Sequence, residues 1–429
     1  MHDEHEVEPG ARAERRDVLG QALLATAALM AAPVLLSRRA GARPATSNGS
    51  VLVQVFLRGG MDGLSLLPPF TESNYYASRP SLAIQPPGAS SGALALPGSS
   101  TFGLAPAAAP LLTPYNAGKL LFVNACANAD PTRSHFDAQR YVELGTTGAG
   151  AGALGEGWIA RHLATIAPHG AGDLRGLALE DGLPRSLLRA PATLAVRDPA
   201  GFVLPGAAAT APQRVQVLDG LYHREPAPLG PIADTTLAAI QRLGGVDFAG
   251  YMPANGAVYP ATPFGEQMRA TAALIKANLG LEVVAIDYDR LRGWDHHAQL
   301  GPLVGGFATK ANDLARGLQA FYLDLTPAHL DDVVLVAYSE FGRRVAENAS
   351  HGTDHGHGGA MLVLGGRVVG GRVLSNWPGL APAQLDDGDL AATIDTRDVL
   401  AEILDVRFGN PNVGHVFPGF TPTYRGVVV

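Results

Sequence analysis

The chain is predicted to fold as an α/β protein, with a mostly parallel sheet sandwiched by helices. Two observations carry the expectation. Five short runs rich in aliphatic and β-branched residues recur between residues 51 and 366, nearly free of polar alternation. That is the pattern of strands buried on both faces. Helix-like stretches separate the runs, and strands alternating with helices give a parallel sheet covered on both sides. Ligands of such sheets bind beyond the C-terminal ends of the strands, so the residues after each run become site candidates.

VLVQVFL (51–57) opens the series and is stopped by Gly59-Gly60; LLFVNACA (120–127) is the second strand. RSHFDAQRYVELG (133–145) has helical spacing, with Phe136, Tyr141 and Leu144 at apolar positions and Gly145 as the stop. EVVAIDYD (282–289) is the third strand, and a long amphipathic helix follows from Ala308 to Leu325. DVVLVAYSE (332–340) and AMLVLGG (360–366) are the fourth and fifth strands, and TRDVLAEILD (396–405) is the last helix. Residues 146–280 are rich in Ala, Gly, Pro and Leu, with helix-like pieces such as EGWIARHLATI. They are expected to form a cap-like insertion of helices and loops over the sheet edge. One α/β domain over 51–429 is the result.

Composition narrows the function. The net charge of −7 offers no basic surface for nucleic acid. Cys126 is the only cysteine, so no intrachain disulfide and no thiolate metal set is available; within its apolar run it reads as a small buried hydrophobe. The N-terminus reads as an address. Arg15-Arg16 precedes a short alanine-rich apolar stretch, Gln21 to Leu36, and Ala40-Gly41-Ala42 offers a cleavage site. This pattern is that of a twin-arginine export signal over 1–42, with 43–50 as linker. The stretch is short for a spanning helix. The expected location is periplasmic or extracellular, with the twin-arginine export machinery as a partner and only transient contact with the membrane.

Polar residues gather next to the strand runs. RGGMDGLS with Asp62 follows the first; DPTRSHFDAQ with Thr132, Ser134 and His135 follows the second; RGWDHHAQ with Asp295, His296 and His297 follows the third. SEFGRR with Glu340 and Arg343 follows the fourth, and GTDHGHGG with Asp354, His355 and His357 immediately precedes the fifth. No single motif is specific; the set is the signal.

Together VFLRGGMDGLS, RSHFDAQ, GWDHHAQ, SEFGR, GTDHGHGGAMLVLGG and the following GGRV resemble the DUF1501 family of exported bacterial proteins, over residues 51 to about 405. That family is related to the alkaline phosphatase–sulfatase superfamily. The resemblance implies an alkaline-phosphatase-like core and a site of one or two divalent ions (Zn, Mn, Ca or Fe). It casts Asp62 as the first metal carboxylate and Ser134 as nucleophile, with Thr132 as competitor. Asp295 and His297 become a metal pair, with Asp287 as the alternative to Asp295. Glu340 and His357 become further ligands, with Asp354 and His355 beside them. Phe341 stands where the superfamily has a histidine, and no cysteine occupies the nucleophile position, which argues against a formylglycine sulfatase.

The chemistry fits those residue types. Hydrolysis of phosphate or sulfate esters must stabilise charge on attacking and leaving oxygens, which divalent ions do well. Carboxylates and imidazoles suit such ions. Arg58 and Arg343 are candidates to hold a substrate oxyanion, and His135 is a candidate acid/base. Each has a plainer alternative. Ser134 is equally placed as a helix N-cap, with Asp137 completing a capping pattern. Asp62 suits a turn, His135 a packed core, and Arg343 a buried partner for Glu340. Two function classes follow: an exported metal-dependent hydrolase of phosphate or sulfate esters, or a non-catalytic periplasmic binding or assembly protein on the same fold. A metal-dependent isomerase or mutase is a third.

Overall fold

The computed structural model describes residues 49–170, 172–226, 229–288 and 293–429. The expected export signal, and the linker as far as residue 48, lie outside the described residues. No described helix is long and apolar enough to cross a membrane.

Among the described residues nine strands form one sheet. They are β1 (Val51–Phe56), β2 (Leu120–Ala127), β3 (Gly176–Ala178), β4 (Thr193–Ala195), β5 (Val283–Asp287), β6 (Val333–Tyr338), β7 (Gly359–Gly365), β8 (Arg372–Leu374) and β9 (Ile394–Asp395). The order across the sheet is β8-β2-β7-β6-β1-β5-β3-β4, and β9 also pairs with β2. The principal helices are α1 (Gly63–Leu66), α2 (His135–Leu144), α3 (Trp158–Thr165), α4 (Ala211–Tyr222), α5 (Leu229–Gly244), α6 (Pro263–Lys276), α7 (Gly306–Leu325) and α8 (Thr396–Glu402).

Side chains alternate across the sheet and feed two cores. Val51, Val53 and Val55 pack with Phe264 and Met268 of α6 and Leu314 and Phe321 of α7. Leu52 and Phe56 face the other way, into Trp158 and Leu163 of α3 and Val399 and Leu400 of α8. Both faces are thus buried, as the unbroken apolar runs require. The one polar residue of β1, Gln54, is satisfied inside the core: it donates to the Tyr338 hydroxyl at 2.7 Å and accepts from Ser186 Oγ at 2.9 Å. Cys126 is buried, which raises its thiol pKa to about 12 and leaves it a hydrophobe.

β7 is the exception to the parallel sheet. It runs antiparallel to both neighbours, β2 and β6. Its start, Gly359, pairs with Cys126 near the end of β2. β1 ends level with β6 and β5, where Phe56 pairs with Tyr338 and with Asp287. The segment preceding β7 therefore arrives at the same edge as the segments leaving β1, β2, β5 and β6. A parallel fifth strand would have sent GTDHGHGG to the opposite edge.

Two local expectations change. Residues 146–280 are more than helix and loop, because β3 and β4 extend the main sheet. Strands of three residues are too short to show periodicity and leave no readable mark in the sequence. Phe136, read as an apolar core position, is 90 % exposed. The buried arc of α2 is set by Ala138, Val142 and Leu144, and Phe136 falls outside it at 100° per residue.

His162 on α3 makes the fold acid-sensitive. It is fully buried, accepts a hydrogen bond from Asn410 Nδ2 (2.9 Å), and burial lowers its pKa from 6.5 to about 3. Between those values the unfolded chain binds a proton that the folded chain refuses, so stability is intact above pH 6.5 and falls as pH drops below it. The slope is about 1.4 kcal/mol per pH unit for one such group. His162→Gln keeps an acceptor for Asn410 and removes the proton site. Urea denaturation at pH 7 and pH 5 is expected to show a smaller acid-induced loss for this variant than for wild type.

Candidate metal centre

Arg343 assembles the site. Its side chain is fully buried and every nitrogen is used. Nε donates to Gly60 O (2.6 Å), Nη1 to Thr353 O (2.9 Å), and Nη2 to Gly59 O, Trp294 O and Asp295 Oδ1. One guanidinium thereby fastens the segments after β1, β5 and β6 to the one before β7. Buried and held by these partners, it is a fastener of the segments rather than an open anion-binding group. The glycines of GTDHGHGG serve the same packing. A Cβ at Gly352 would collide with the His297 backbone, and one at Gly356 with the Arg343 backbone.

α2 brings in the second set of residues. Ser134 is its N-cap: Oγ accepts from the Asp137 amide (3.4 Å), and Gly145 closes the helix in the left-handed region. His135, Gln139 and Glu143 recur every four residues and share one face. His135 Nδ1 meets Glu340 Oε1 at 2.8 Å, and Gln139 Nε2 donates to the same oxygen at 2.9 Å. Glu340 also accepts from the Gly59 amide (2.9 Å) and from Ser339 Oγ (2.8 Å). Burial alone would raise its pKa, but these donors bring it down to about 2.

Four expected site residues converge beside this pair. Asp295 Oδ1 lies 3.1 Å from His297 Nε2, 3.2 Å from His355 Nε2 and 3.4 Å from His135 Nε2. The Nε2 atoms of His297 and His355 are 2.9 Å apart. His135, Asp295 and His355 offer ligand atoms all within 4.8 Å of one another, the spacing of a group able to hold a metal ion. Each ring is gripped from behind: His135 Nδ1 by Glu340, His297 Nδ1 by Asp354 (3.0 Å), and His355 Nδ1 by the Arg133 carbonyl (2.7 Å). Phe341, at the position where the resemblance implied a histidine, packs on His135 and His355 at ring distances of 4.8 and 5.0 Å.

Electrostatics follow from the crowding. Burial alone would lower the His135 pKa, yet Asp295 and Glu340 outweigh it and raise it to about 9. Burial would raise that of Asp295, but His135, His355 and Arg343 hold it well below the usual carboxylate range. His135 Nε2 itself is buried and makes no hydrogen bond.

The remaining expected residues sit elsewhere. Asp62 caps α1 through Ser65 N (3.1 Å) and pairs with buried Arg79 at 2.8 Å. Thr132 Oγ1 accepts from the Ser134 amide (3.3 Å). Neither Thr132 nor Ser134 bonds a histidine or carboxylate side chain through its hydroxyl among the described residues. His357 spends both ring nitrogens, on Asn128 O (2.9 Å) and Asp386 (3.1 Å). Asp287 pairs with Arg58 at 2.8 Å. Gln139 and Arg133 were missed. The i, i+4 step from His135 was the available signal for Gln139, whereas a backbone carbonyl leaves none.

A cleft of about 830 Å³ opens beside the cluster. His135 and Asp295 line it together with Arg58, Gln139, Glu143, Arg185 and Asp287, and Leu183, Pro184 and Leu188 add an apolar wall. Arg58 is already neutralised by Asp287 and Glu143 (3.0 Å). The Arg185 guanidinium is exposed and makes no hydrogen bond or ion pair among the described residues.

The sequence matches the family described as "Protein of unknown function (DUF1501)" over residues 130–404, more than half of the chain. The chain belongs to the DUF1501 family. The matched span holds all four converging residues and excludes Asp62. No curated protein matches the sequence. Among solved structures, the lipoteichoic acid synthase LtaP from Listeria monocytogenes is similar at 12 % identity and TM-score 0.29, over 75 % of this chain and 66 % of that one. This DUF1501 chain thus spans just under two thirds of LtaP. The phosphonate monoester hydrolase of Agrobacterium radiobacter is similar at 12 % identity and TM-score 0.32, over 88 % and 79 % respectively. At these scores neither likeness bears on activity.

Arg343→Lys keeps the charge and loses the fork that joins four segments. It is expected to cost about 3 kcal/mol or more in urea unfolding, as breaking buried charge networks does. An unchanged midpoint would refute the fastening role.

Proposed function

We propose that this protein is a metal-dependent hydrolase of phosphate or sulfate esters. The observation that carries the reading is the convergence of three imidazole Nε2 atoms and Asp295 Oδ1 on the wall of a polar cleft. His135 Nε2, orphaned and aimed at this point, is what the chemistry of a metal ligand requires. The resemblance to the alkaline phosphatase–sulfatase superfamily supplies the reaction class.

A divalent ion held there would act as a Lewis acid toward the negative charge that builds on ester oxygens. The chain's own residues do the rest. Arg185 is the guanidinium available to orient the anionic group, while Arg58 is spent on its two carboxylates. Leu183, Pro184 and Leu188 receive the organic part of the ester. Ser134 keeps its capping role and water is the attacking group, because among the described residues no histidine or carboxylate side chain is hydrogen-bonded to Oγ.

The test is a panel of aryl phosphate, phosphodiester and sulfate esters with metal-loaded protein. Turnover is expected to vanish in Asp295→Ala and fall at least about tenfold in Arg185→Ala. Ser134→Gly costs only a few tenths of a kcal/mol as a cap and is expected to retain most activity. Loss of turnover in that variant, with metal still bound, would make Ser134 the nucleophile. A non-catalytic binding protein is the second reading, favoured by Ser134 and Thr132 hydroxyls that bond no histidine or carboxylate side chain among the described residues. Loaded protein inert across the panel would select it.

We further propose that the protein works outside the cytoplasm after twin-arginine export, on the strength of Arg15-Arg16 and the alanine-rich stretch that follows. N-terminal sequencing of exported protein is expected to begin near Arg43, and Arg15→Lys/Arg16→Lys to retain it inside.

A further inference from the structure

The three histidines meet in a way that hydrogen bonding does not satisfy. A carbonyl only accepts, so His355 Nδ1 donates to Arg133 O. A carboxylate likewise accepts, so His297 Nδ1 donates to Asp354. A neutral imidazole has one N–H. Both Nε2 atoms are then bare lone pairs, facing one another at 2.9 Å. His135 holds Glu340 through Nδ1 and turns its buried Nε2, which makes no hydrogen bond, to within 3.4 Å of Asp295 Oδ1. Asp295 Oδ1, which all three approach, is another acceptor and already receives Arg343. With neutral rings the His297–His355 contact sets two lone pairs against each other, an arrangement that a cation beside them would relieve.

The spacings agree. Nitrogen and oxygen ligands about 2.0–2.1 Å from a tetrahedral ion lie about 3.3 Å from one another. Asp295 Oδ1 stands 3.2 and 3.4 Å from His355 and His135, and these three ligand atoms all lie within 4.8 Å of one another, a set that leaves out His297. Asp62, in contrast, faces the Arg79 guanidinium, which would repel a cation.

We propose that His135 and His355, each through Nε2, and Asp295 are the protein ligands of a single transition-metal ion with an open position, with Glu340 and the Arg133 carbonyl as positioning groups behind the two rings. This deepens the metal-dependent reading above and rests on it. Glu340, which the sequence offers as a ligand, thereby becomes an orienting partner, the arrangement that fixes ring tautomer and raises ligand basicity. Two imidazoles with one carboxylate select an ion of the zinc or iron class over Ca²⁺ and Mg²⁺, which take oxygen donors. The ion count is one.

The experiment titrates the metal-free full chain with Co²⁺, follows its visible absorption, and competes with Zn²⁺ and Ca²⁺. One Co²⁺ per chain is expected, displaced by Zn²⁺ and retained against a hundredfold excess of Ca²⁺ (about that excess suffices to separate the two classes). Asp295→Ala and His355→Ala are expected to lose the absorption. His297→Ala, at a half-exposed position outside the ligand set, is expected to keep it. Asp62→Asn is expected to keep the stoichiometry of one. Two ions per chain, displacement by Ca²⁺, or His297→Ala losing the absorption outright as Asp295→Ala does, would overturn the assignment. Turnover does not enter this readout. A chain that binds Co²⁺ as stated and hydrolyses nothing sinks the hydrolase reading alone; hydrolysis supported through another ligand set sinks this one alone.

Discussion

A buried guanidinium with no carboxylate at full contact on both sides would be ruinous, and Arg343 avoids that by taking four backbone carbonyls and one oxygen of Asp295. Desolvating a charge costs several kcal/mol unless its donors are all engaged. The engagement is what gives the edge of the sheet its shape. The Gly59-Gly60 turn, Trp294 and Thr353 belong to three separate connections with no covalent reason to meet. Arg343 makes their carbonyls converge, and Asp295 is held in place as a by-product. The histidines then have a fixed oxygen to gather around.

Charge in the cleft follows the same logic. Arg58 looks like an anion-binding residue by type, yet Asp287 and Glu143 consume it. Glu340 looks like a ligand by type, yet its two oxygens are shared among His135, Gln139, Ser339 and the Gly59 amide. Residue type alone does not separate a group that meets substrate from one that holds its neighbour. Which lone pairs are already taken does.

This explains what the sequence revealed. The sheet was legible because β1, β2, β5, β6 and β7 are long apolar runs, and burial of both faces leaves no other reading. The histidines His135, His297 and His355 were legible as a set because they flank those runs. The reversal of β7 was not legible, since a strand buried on both faces carries no mark of direction. The division between His-bearing ligands and orienting carboxylates was hidden too, because it depends on which ring nitrogen faces inward, a matter of side-chain rotation across four connections. Ser134 was readable both as nucleophile and as cap, and the geometry of Asp137 N supports the cap.

The reversed strand has a consequence for how such a site changes over generations. Residues 339–358 leave β6 and return into the adjacent β7 at the same edge, so Glu340, Arg343, Asp354, His355 and His357 ride on one hairpin-like connection. A crossover helix would tie such a segment to the far side of the sheet. This one is anchored at two neighbouring points and can be rewritten as a cassette, while β1 and β5 keep their register beneath it.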